Sequence, residues 1–153
     1  MGRRRAVALA LVGVITAANV LALAALIASL LKAQEKSGAE LLLKGATIWS
    51  TKVVTFGLLF WELDRGGPMR RGAPAPPPPD FQFPQDENPA LAEPNWLPRL
   101  VDYVYISFTN ATAFSPTDAM PLTRRMKMLM LAESAISAIT VLLVAARAVN
   151  ILG

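Results

Sequence analysis

Residues 6–31 form a run without any charged side chain, and this run constrains the fold more than any other feature of the chain. Its polar side chains are Thr16, Asn19 and Ser29. At ~1.5 Å per residue, a helix of this length crosses a hydrocarbon core of ~30 Å. The preceding arginines resemble the start of a signal peptide, but the apolar run exceeds the ~7–15 residues of such a peptide. We therefore predict an uncleaved transmembrane anchor.

Two further apolar runs, 41–63 and 128–149, are interrupted by charges. Lys44 and Lys52 lie in the first run, and Glu133 and Arg147 lie in the second. The whole chain is 54% hydrophobic and 17% charged, which is too apolar for a soluble domain of 153 residues. The sequence therefore predicts an all-α membrane protein with three transmembrane helices.

Proline dominates the segment between the second and third runs. Residues 66–99 contain 10 of the 12 prolines, and Pro76 to Pro79 are consecutive. Proline removes backbone donors and favours an extended polyproline conformation. We therefore predict that residues 64–100 are an extended cytoplasmic linker between a two-helix part, 1–63, and a second part, 101–153. It serves as a spacer or as a ligand for a partner that binds proline-rich segments.

The basic residues predict the orientation in the membrane. With three spans, one side carries ten of them: Arg3, Arg4, Arg5, Arg65, Arg70, Arg71, Arg99, Arg124, Arg125 and Lys127. The other side carries Lys32, Lys36, Lys44 and Arg147. Because cytoplasmic loops are enriched in Lys and Arg, the N-terminus and the proline-rich segment are expected in the cytoplasm.

The composition argues against several classes of function. The chain has no cysteine and no histidine, so disulfides, thiol chemistry and histidine metal ligation are excluded. Its basic residues flank apolar runs instead of forming one basic face, which argues against nucleic-acid binding. We expect no enzyme activity and no cofactor. The expected partners are the lipid bilayer and either further copies of the chain or other membrane subunits.

Polar side chains in the second and third runs are grouped on one face of each helix. Glu133, Ser137, Thr140 and Arg147 fall within about 80° of arc at ~100° per residue. In the second run Lys44, Thr51, Thr55 and Glu62 share an arc of similar width, and Lys52 lies at its edge. Both helices are therefore expected to turn a polar face away from lipid.

Lys52 and Glu133 are expected at similar depths, about 5 Å apart along the membrane normal at ~1.5 Å per residue. A charged side chain in the bilayer costs at least about 2.5–3.5 kcal/mol, so each requires a partner or water. One hypothesis is an ion pair between the two helices. The alternative is that Lys52 extends towards one surface and Glu133 extends towards Arg124 and Arg125.

The stretch YISFTNATAFSPTDAMPLT, residues 105–123, resembles the pore segment of two-helix potassium channels. Six residues stand where that family has like residues, without a gap: Tyr105, Ser107, Thr112, Asp118, Pro121 and Thr123. The resemblance covers roughly residues 45–150, because a transmembrane run lies on each side. It implies a short pore-helix-like helix at 103–114 before the last transmembrane helix, and an interfacial helix is the alternative.

The departures from this family fall on the selectivity filter. Ser115, Pro116 and Thr117 replace the family's Gly-Tyr-Gly, and Ala113 replaces a threonine. Potassium filters aim backbone carbonyls at dehydrated ions, and their glycines accept the positive φ that this needs. Pro116 fixes φ near −65°. A potassium-selective filter is therefore not expected.

Three longer stretches, WELDRGGP, FTNATAFSPTDAMPLTRR and ARAVNIL, are similar to an uncharacterised family of bacterial integral membrane proteins that keeps a pore-loop-like segment. This resemblance implies a multi-pass protein of the bacterial inner membrane, and it implies no activity or substrate.

Two functions are therefore open. The first is a pore-loop-derived membrane subunit or scaffold, in which 103–114 is an amphipathic interfacial helix. The second is an oligomer that conducts cations through a polar mouth lined by Thr112, Ser115, Thr117 and Asp118, where Asp118 attracts the cation.

Overall fold

The structure, a computed structural model, describes residues 3–31, 37–113 and 119–152. In chain order, the elements are α1 (Arg3–Leu31), α2 (Gly38–Leu63), α3 (Pro68–Arg71), β1 (Phe81–Gln82), α4 (Pro84–Glu87), α5 (Leu100–Ala113), β2 (Met120–Pro121) and α6 (Arg124–Leu152), with 3-10 turns at Asp64–Gly66 and Pro89–Leu91. The predicted helical architecture is confirmed. The strands pair antiparallel, with Phe81 opposite Pro121.

Within the described residues, two helices are long and apolar enough to cross a membrane. They are α1, over Ala10–Ser29, and α6, over Arg124–Arg147. The third predicted span forms helix α2, but α2 is not among these candidates. The physical reason is its composition, because Lys44, Lys52 and several threonines lower its mean hydropathy.

Helix α2 lies at the centre of the bundle and packs against α1, α5 and α6. Two glycines allow the close approaches. A Cβ at Gly45 would lie 2.9 Å from the Val144 side chain, and a Cβ at Gly57 would lie 2.8 Å from the Val104 Cα. The predicted polar face of α2 is therefore buried in part. The buried members are Lys52, Thr55 and Glu62, and the exposed members are Lys44 and Thr51.

Helix α5 runs antiparallel to α2, and the chain then returns to the end where α5 began. Val104 of α5 lies against Gly57, while Phe108, one turn later, stacks edge-on against Trp49 at 5.6 Å. After α5 ends, the next described element, β2, pairs with β1 beside the start of α5. Helix α5 therefore enters the bundle from the end of α2 that carries Leu63.

Residues 64–98 are folded against this end of the bundle, and we call them the cap. Phe81 and Phe83 are buried and form edge-on ring contacts with Tyr103 of α5, at 6.2 and 5.5 Å. Trp96 packs on Phe83 at 5.6 Å. This differs from the extended linker that the proline content predicts, because aromatic burial holds the proline-rich segment to the helices.

The turn from α2 into the cap uses positive φ at three consecutive residues. Arg65, Gly66 and Gly67 have φ values of 52°, 75° and 92°. A Cβ at Gly67 would lie 2.9 Å from the Glu62 carbonyl oxygen. Only glycine takes this conformation at that distance without strain, so the sequence DRGGP encodes the sharp reversal.

Candidate functional site

Five buried polar side chains meet between α2, α5 and α6. This buried polar cluster consists of Lys52, Ser107, Asn110, Glu133 and Ser137. Each is at most 5% exposed. Ser107 and Asn110 lie three residues apart on α5, and Glu133 and Ser137 lie four apart on α6, so each pair shares one helix face.

The Glu133 carboxylate is the centre of the cluster. It accepts hydrogen bonds from Ser107 Oγ and from Asn110 Nδ2, the latter at 2.7 Å. Ser107 Oγ also lies 2.8 Å from the Val53 carbonyl oxygen, which is an alternative acceptor for its single proton, and Ser134 Oγ donates to Asn110 Oδ1 at 3.0 Å. Glu133 is fully buried. These bonds replace the water that a buried carboxylate would otherwise need.

The Lys52 ammonium donates to Ser137 Oγ, one turn along α6 from Glu133. Lys52 and Glu133 attract each other electrostatically across the helix interface. The two side chains therefore lie at the same helix interface, but the ion pairs of the described residues do not include Lys52 with Glu133, since Lys52 donates to Ser137 instead. Neither side chain extends to a surface, since both are buried.

The other two predicted polar residues of α6, Thr140 and Arg147, differ in burial and in their distance from the cluster. Thr140 is buried, and its hydroxyl donates to the Ile136 carbonyl of its own helix at 2.7 Å. Arg147 is half-buried and lies 14 residues beyond Glu133, which is about 21 Å along the helix. The predicted polar face is therefore buried at Glu133, Ser137 and Thr140, and Arg147 lies apart from the cluster.

A small cavity adjoins Lys52 between α1, α2 and α6. Its volume is about 60 Å³, and Thr16, Asn19 and Thr55 are among its lining residues, although its exposed lining surface is apolar. Asn19 Nδ2 donates to Thr55 Oγ1 at 3.0 Å, which ties α1 to α2.

Most of the predicted pore-mouth residues lie outside the part of the chain that the structure describes. Ser115, Pro116, Thr117 and Asp118 lie outside the described residues. Thr112 is exposed near the end of α5, and its hydroxyl donates to the Phe108 carbonyl at 2.7 Å. That bond is internal to the helix.

A second polar centre joins the cap to the helices. The Asp64 carboxylate is fully buried and accepts hydrogen bonds from the backbone N–H groups of Asp80 and Phe81, at 2.7 and 3.2 Å. Tyr103 donates its hydroxyl to the same carboxylate at 2.5 Å. Arg71 also approaches it, with Nε 3.9 Å from Oδ2. Asp64 therefore connects α2, the cap and α5.

Arg71 and Tyr103 pack against each other beside the Asp64 carboxylate. The Arg71 guanidinium lies 4.8 Å from the centre of the Tyr103 ring and donates to the carbonyl oxygens of Trp61 and Pro98, at 2.6 and 3.1 Å. Burial, and next the nearby Asp64 carboxylate, raises the pKa of the Tyr103 hydroxyl. Tyr103 therefore remains a hydrogen-bond donor across the physiological pH range.

Asp80 fixes the return of the chain into α6. Its carboxylate accepts hydrogen bonds from Thr123 and Arg125, both at 2.8 Å, and its carbonyl accepts one from the Leu122 N–H at 2.8 Å. Thr123 Oγ1 in turn caps the start of α6, accepting from the Met126 N–H at 3.4 Å.

Sequence reasoning overlooked Asn110, Asp64 and Arg71 as parts of these two centres. A signal for Asn110 was present, since Tyr103, Ser107 and Asn110 recur at helical spacing on one face of α5. Asp64 and Arg71 gave no such signal, because a proline-rich segment separates Asp64 from the backbone groups it binds.

The arrangement provides intramolecular hydrogen bonding and charge pairing at both centres. In the parts of the chain that the structure describes, no three acidic side chains converge as metal ligands. Comparison with family models, curated proteins and solved structures finds no match to this chain.

Proposed function

We propose that the chain is a non-conducting subunit or scaffold of the bacterial inner membrane. Helices α1, α2 and α6 span the bilayer, α5 is a re-entrant helix, and the cap lies on the cytoplasmic face, where it is available to other subunits. The pore-loop-like segment then serves to position the cap.

Exposed apolar surface supports the membrane assignment. Only 11% of the apolar segment of α1 and 28% of that of α6 is buried inside the protein. The core helix of a soluble protein would be mostly buried, whereas lipid accepts such a surface. The charged residue at mid-length of α2, Lys52, faces α6 and is therefore shielded from lipid.

The observation that carries the non-conducting assignment is the burial of the polar face of α6. A conduit needs this face turned towards water, but Glu133 and Ser137 are completely buried. Their hydrogen-bonding partners are Ser107, Asn110 and Lys52 of the same chain. Because these groups already form hydrogen bonds within the chain, they are not free to coordinate a permeating ion.

The path of the chain around α5 favours the alternative, a cation channel. Helix α5 starts at the cap, and the chain is again beside the cap at β2. This is the order of a pore helix and a return segment. In an oligomer, such segments would meet around a central axis, with Asp118 near the mouth.

Electrical recording separates the two functions. We expect the purified full chain, shown to be folded by circular dichroism, to carry no cation current in planar bilayers. A current that Asp118→Asn reduces, and that the cap substitution Glu93→Gln leaves unchanged, would overturn the assignment in favour of the channel.

Cysteine labelling tests the topology, because the chain has no cysteine of its own. Glu93 in the cap and Ala39 at the opposite end of α2 are both exposed, and each can be replaced by cysteine. With a membrane-impermeant maleimide, we expect Ala39→Cys to react in intact spheroplasts and Glu93→Cys to react only after lysis. The reverse pattern would place the cap outside, and labelling of both in intact spheroplasts would contradict the membrane assignment.

A further inference from the structure

The first turn of α6 carries two basic side chains that point away from the bundle. Arg124 and Lys127 are exposed and lie three residues apart, so they occupy neighbouring positions on one face. Arg125, between them, faces the cap and binds the Asp80 carboxylate at 2.8 Å. Within the described residues, no carboxylate forms an ion pair with Arg124 or Lys127.

An exposed apolar stripe continues along α6 directly from this basic pair. Met128 and Leu131 are 63% and 61% exposed, and Ala135, one turn later, is also exposed. At ~100° per residue, these three positions and Arg124 fall within about 60° of arc, and Lys127 lies beside them. Basic groups at the helix start are thus followed by apolar groups on the same face.

The opposite face of α6 makes the contacts with the rest of the protein. Met126, Met130 and Glu133 are buried against the other helices and the cap, whereas no described element covers the basic pair or the stripe. The exposed face therefore matches an occupant with a negative group at the level of Arg124 and a hydrocarbon part at the level of Leu131.

We propose that Arg124 and Lys127 bind the headgroup of an anionic phospholipid, whose acyl chains lie along Met128 and Leu131. This inference rests on the proposed membrane insertion of α6. The phosphate accepts hydrogen bonds from the guanidinium of Arg124 and from the ammonium of Lys127. An anionic lipid is selected over a zwitterionic lipid because it carries no positive group to oppose these two cations. Anionic lipids attract basic residues at the cytoplasmic surface, where the cap is proposed to lie.

Lipid retention measures this selectivity. The full chain is reconstituted in vesicles of phosphatidylcholine with one quarter phosphatidylglycerol, then transferred to mild detergent, and the bound lipids are counted by native mass spectrometry. We expect phosphatidylglycerol to be enriched over its share of the bilayer. Arg124→Gln and Lys127→Gln should each reduce that enrichment about fivefold. Arg70→Gln, which removes an exposed charge from the cap, is the matched control and should leave it unchanged.

Each result has a defined meaning. Enrichment that is equal in wild type and both variants, or equal retention of the two lipids, overturns the inference. Release of phosphatidylglycerol by millimolar inorganic phosphate also overturns it, because the site would then be a general anion site. Flotation with pure phosphatidylcholine vesicles tests insertion separately, and failure to float overturns the proposed membrane function together with this site.

Discussion

At the scale of single residues, the interior depends on Glu133. Its carboxylate holds Ser107 and Asn110 of α5 and attracts Lys52 of α2, so one side chain links three helices. Removing one of two buried opposite charges leaves the other charge without compensation. Removing both charges avoids that penalty, so a double substitution separates charge compensation from packing.

We expect Glu133→Leu to lower the free energy of unfolding by about 3 kcal/mol, since Lys52 loses its counter-charge and two donors lose their acceptor. The double variant Lys52→Met with Glu133→Leu should recover a large part of this loss. Chemical denaturation in detergent micelles measures both, and the exposed substitution Glu93→Leu serves as the control. Losses that simply add in the double variant would show that the two charges are not coupled.

Tyr103 should make the free energy of unfolding decrease at alkaline pH. Because its pKa is raised in the folded protein, the unfolded chain releases this proton first as the pH rises. The contribution of Tyr103 is therefore complete below its ordinary pKa of 10.0 and declines above that pH. Tyr103→Phe should lose about 1.5–3 kcal/mol at neutral pH, since Asp64 loses a donor, and should lack this alkaline decline. Denaturation curves of both proteins between pH 8 and 11 test this, and parallel curves would contradict it.

At the scale of elements, the depth of α5 in the bundle is set by its contact with α2. The Val104 backbone reaches Gly57 so closely that a methyl group at Gly57 would lie 2.8 Å from the Val104 Cα. Unlike a side chain, the Val104 backbone cannot relieve this contact by changing rotamer. The whole of α5 would therefore have to shift.

We expect Gly57→Ala to lower the free energy of unfolding by about 1–3 kcal/mol. The matched control is Gly13→Ala in α1, where a Cβ would meet no atom within 4 Å. There the higher helix propensity of alanine should leave stability unchanged or raise it by up to about 1 kcal/mol. Denaturation in micelles compares the two, and equal effects would contradict the close packing of α5 on α2.

The elements also show what a sequence can predict. The four main helices lie close to their predicted positions, because long apolar runs and helical spacing are local signals. The burial of Glu133 and Ser137 follows from the predicted polar face of α6. The route of residues 64–98 could not be predicted, because it depends on contacts such as Asp64 with Phe81, which are distant in the chain. Proline content describes local stiffness and carries no information about those contacts.

At the scale of the whole molecule, the cap and the helices form a single packed unit. Phe60 of α2, Phe81 of the cap, Tyr103 of α5 and Met126 of α6 belong to one buried core. Asp64 lies beside this core and accepts hydrogen bonds from backbone N–H groups of the cap and from the Tyr103 hydroxyl of α5. Helix α5 is consequently held at its start by the cap and along its length by the buried polar cluster.

The attachment of the cap can be tested by hydrogen exchange. The N–H groups of Asp80 and Phe81 donate to the buried Asp64 carboxylate, so they should exchange slowly in the wild-type protein. Asp64→Ala removes the acceptor, and we expect these two amides to exchange at least about tenfold faster while the interior of α6 is unaffected. Glu87→Ala, an exposed change within the cap, should leave the rates as they are. If Asp80 and Phe81 already exchange at the rate of an unstructured peptide in the wild type, residues 64–98 are the extended linker that their prolines predict, and Asp64 does not hold them to the helices.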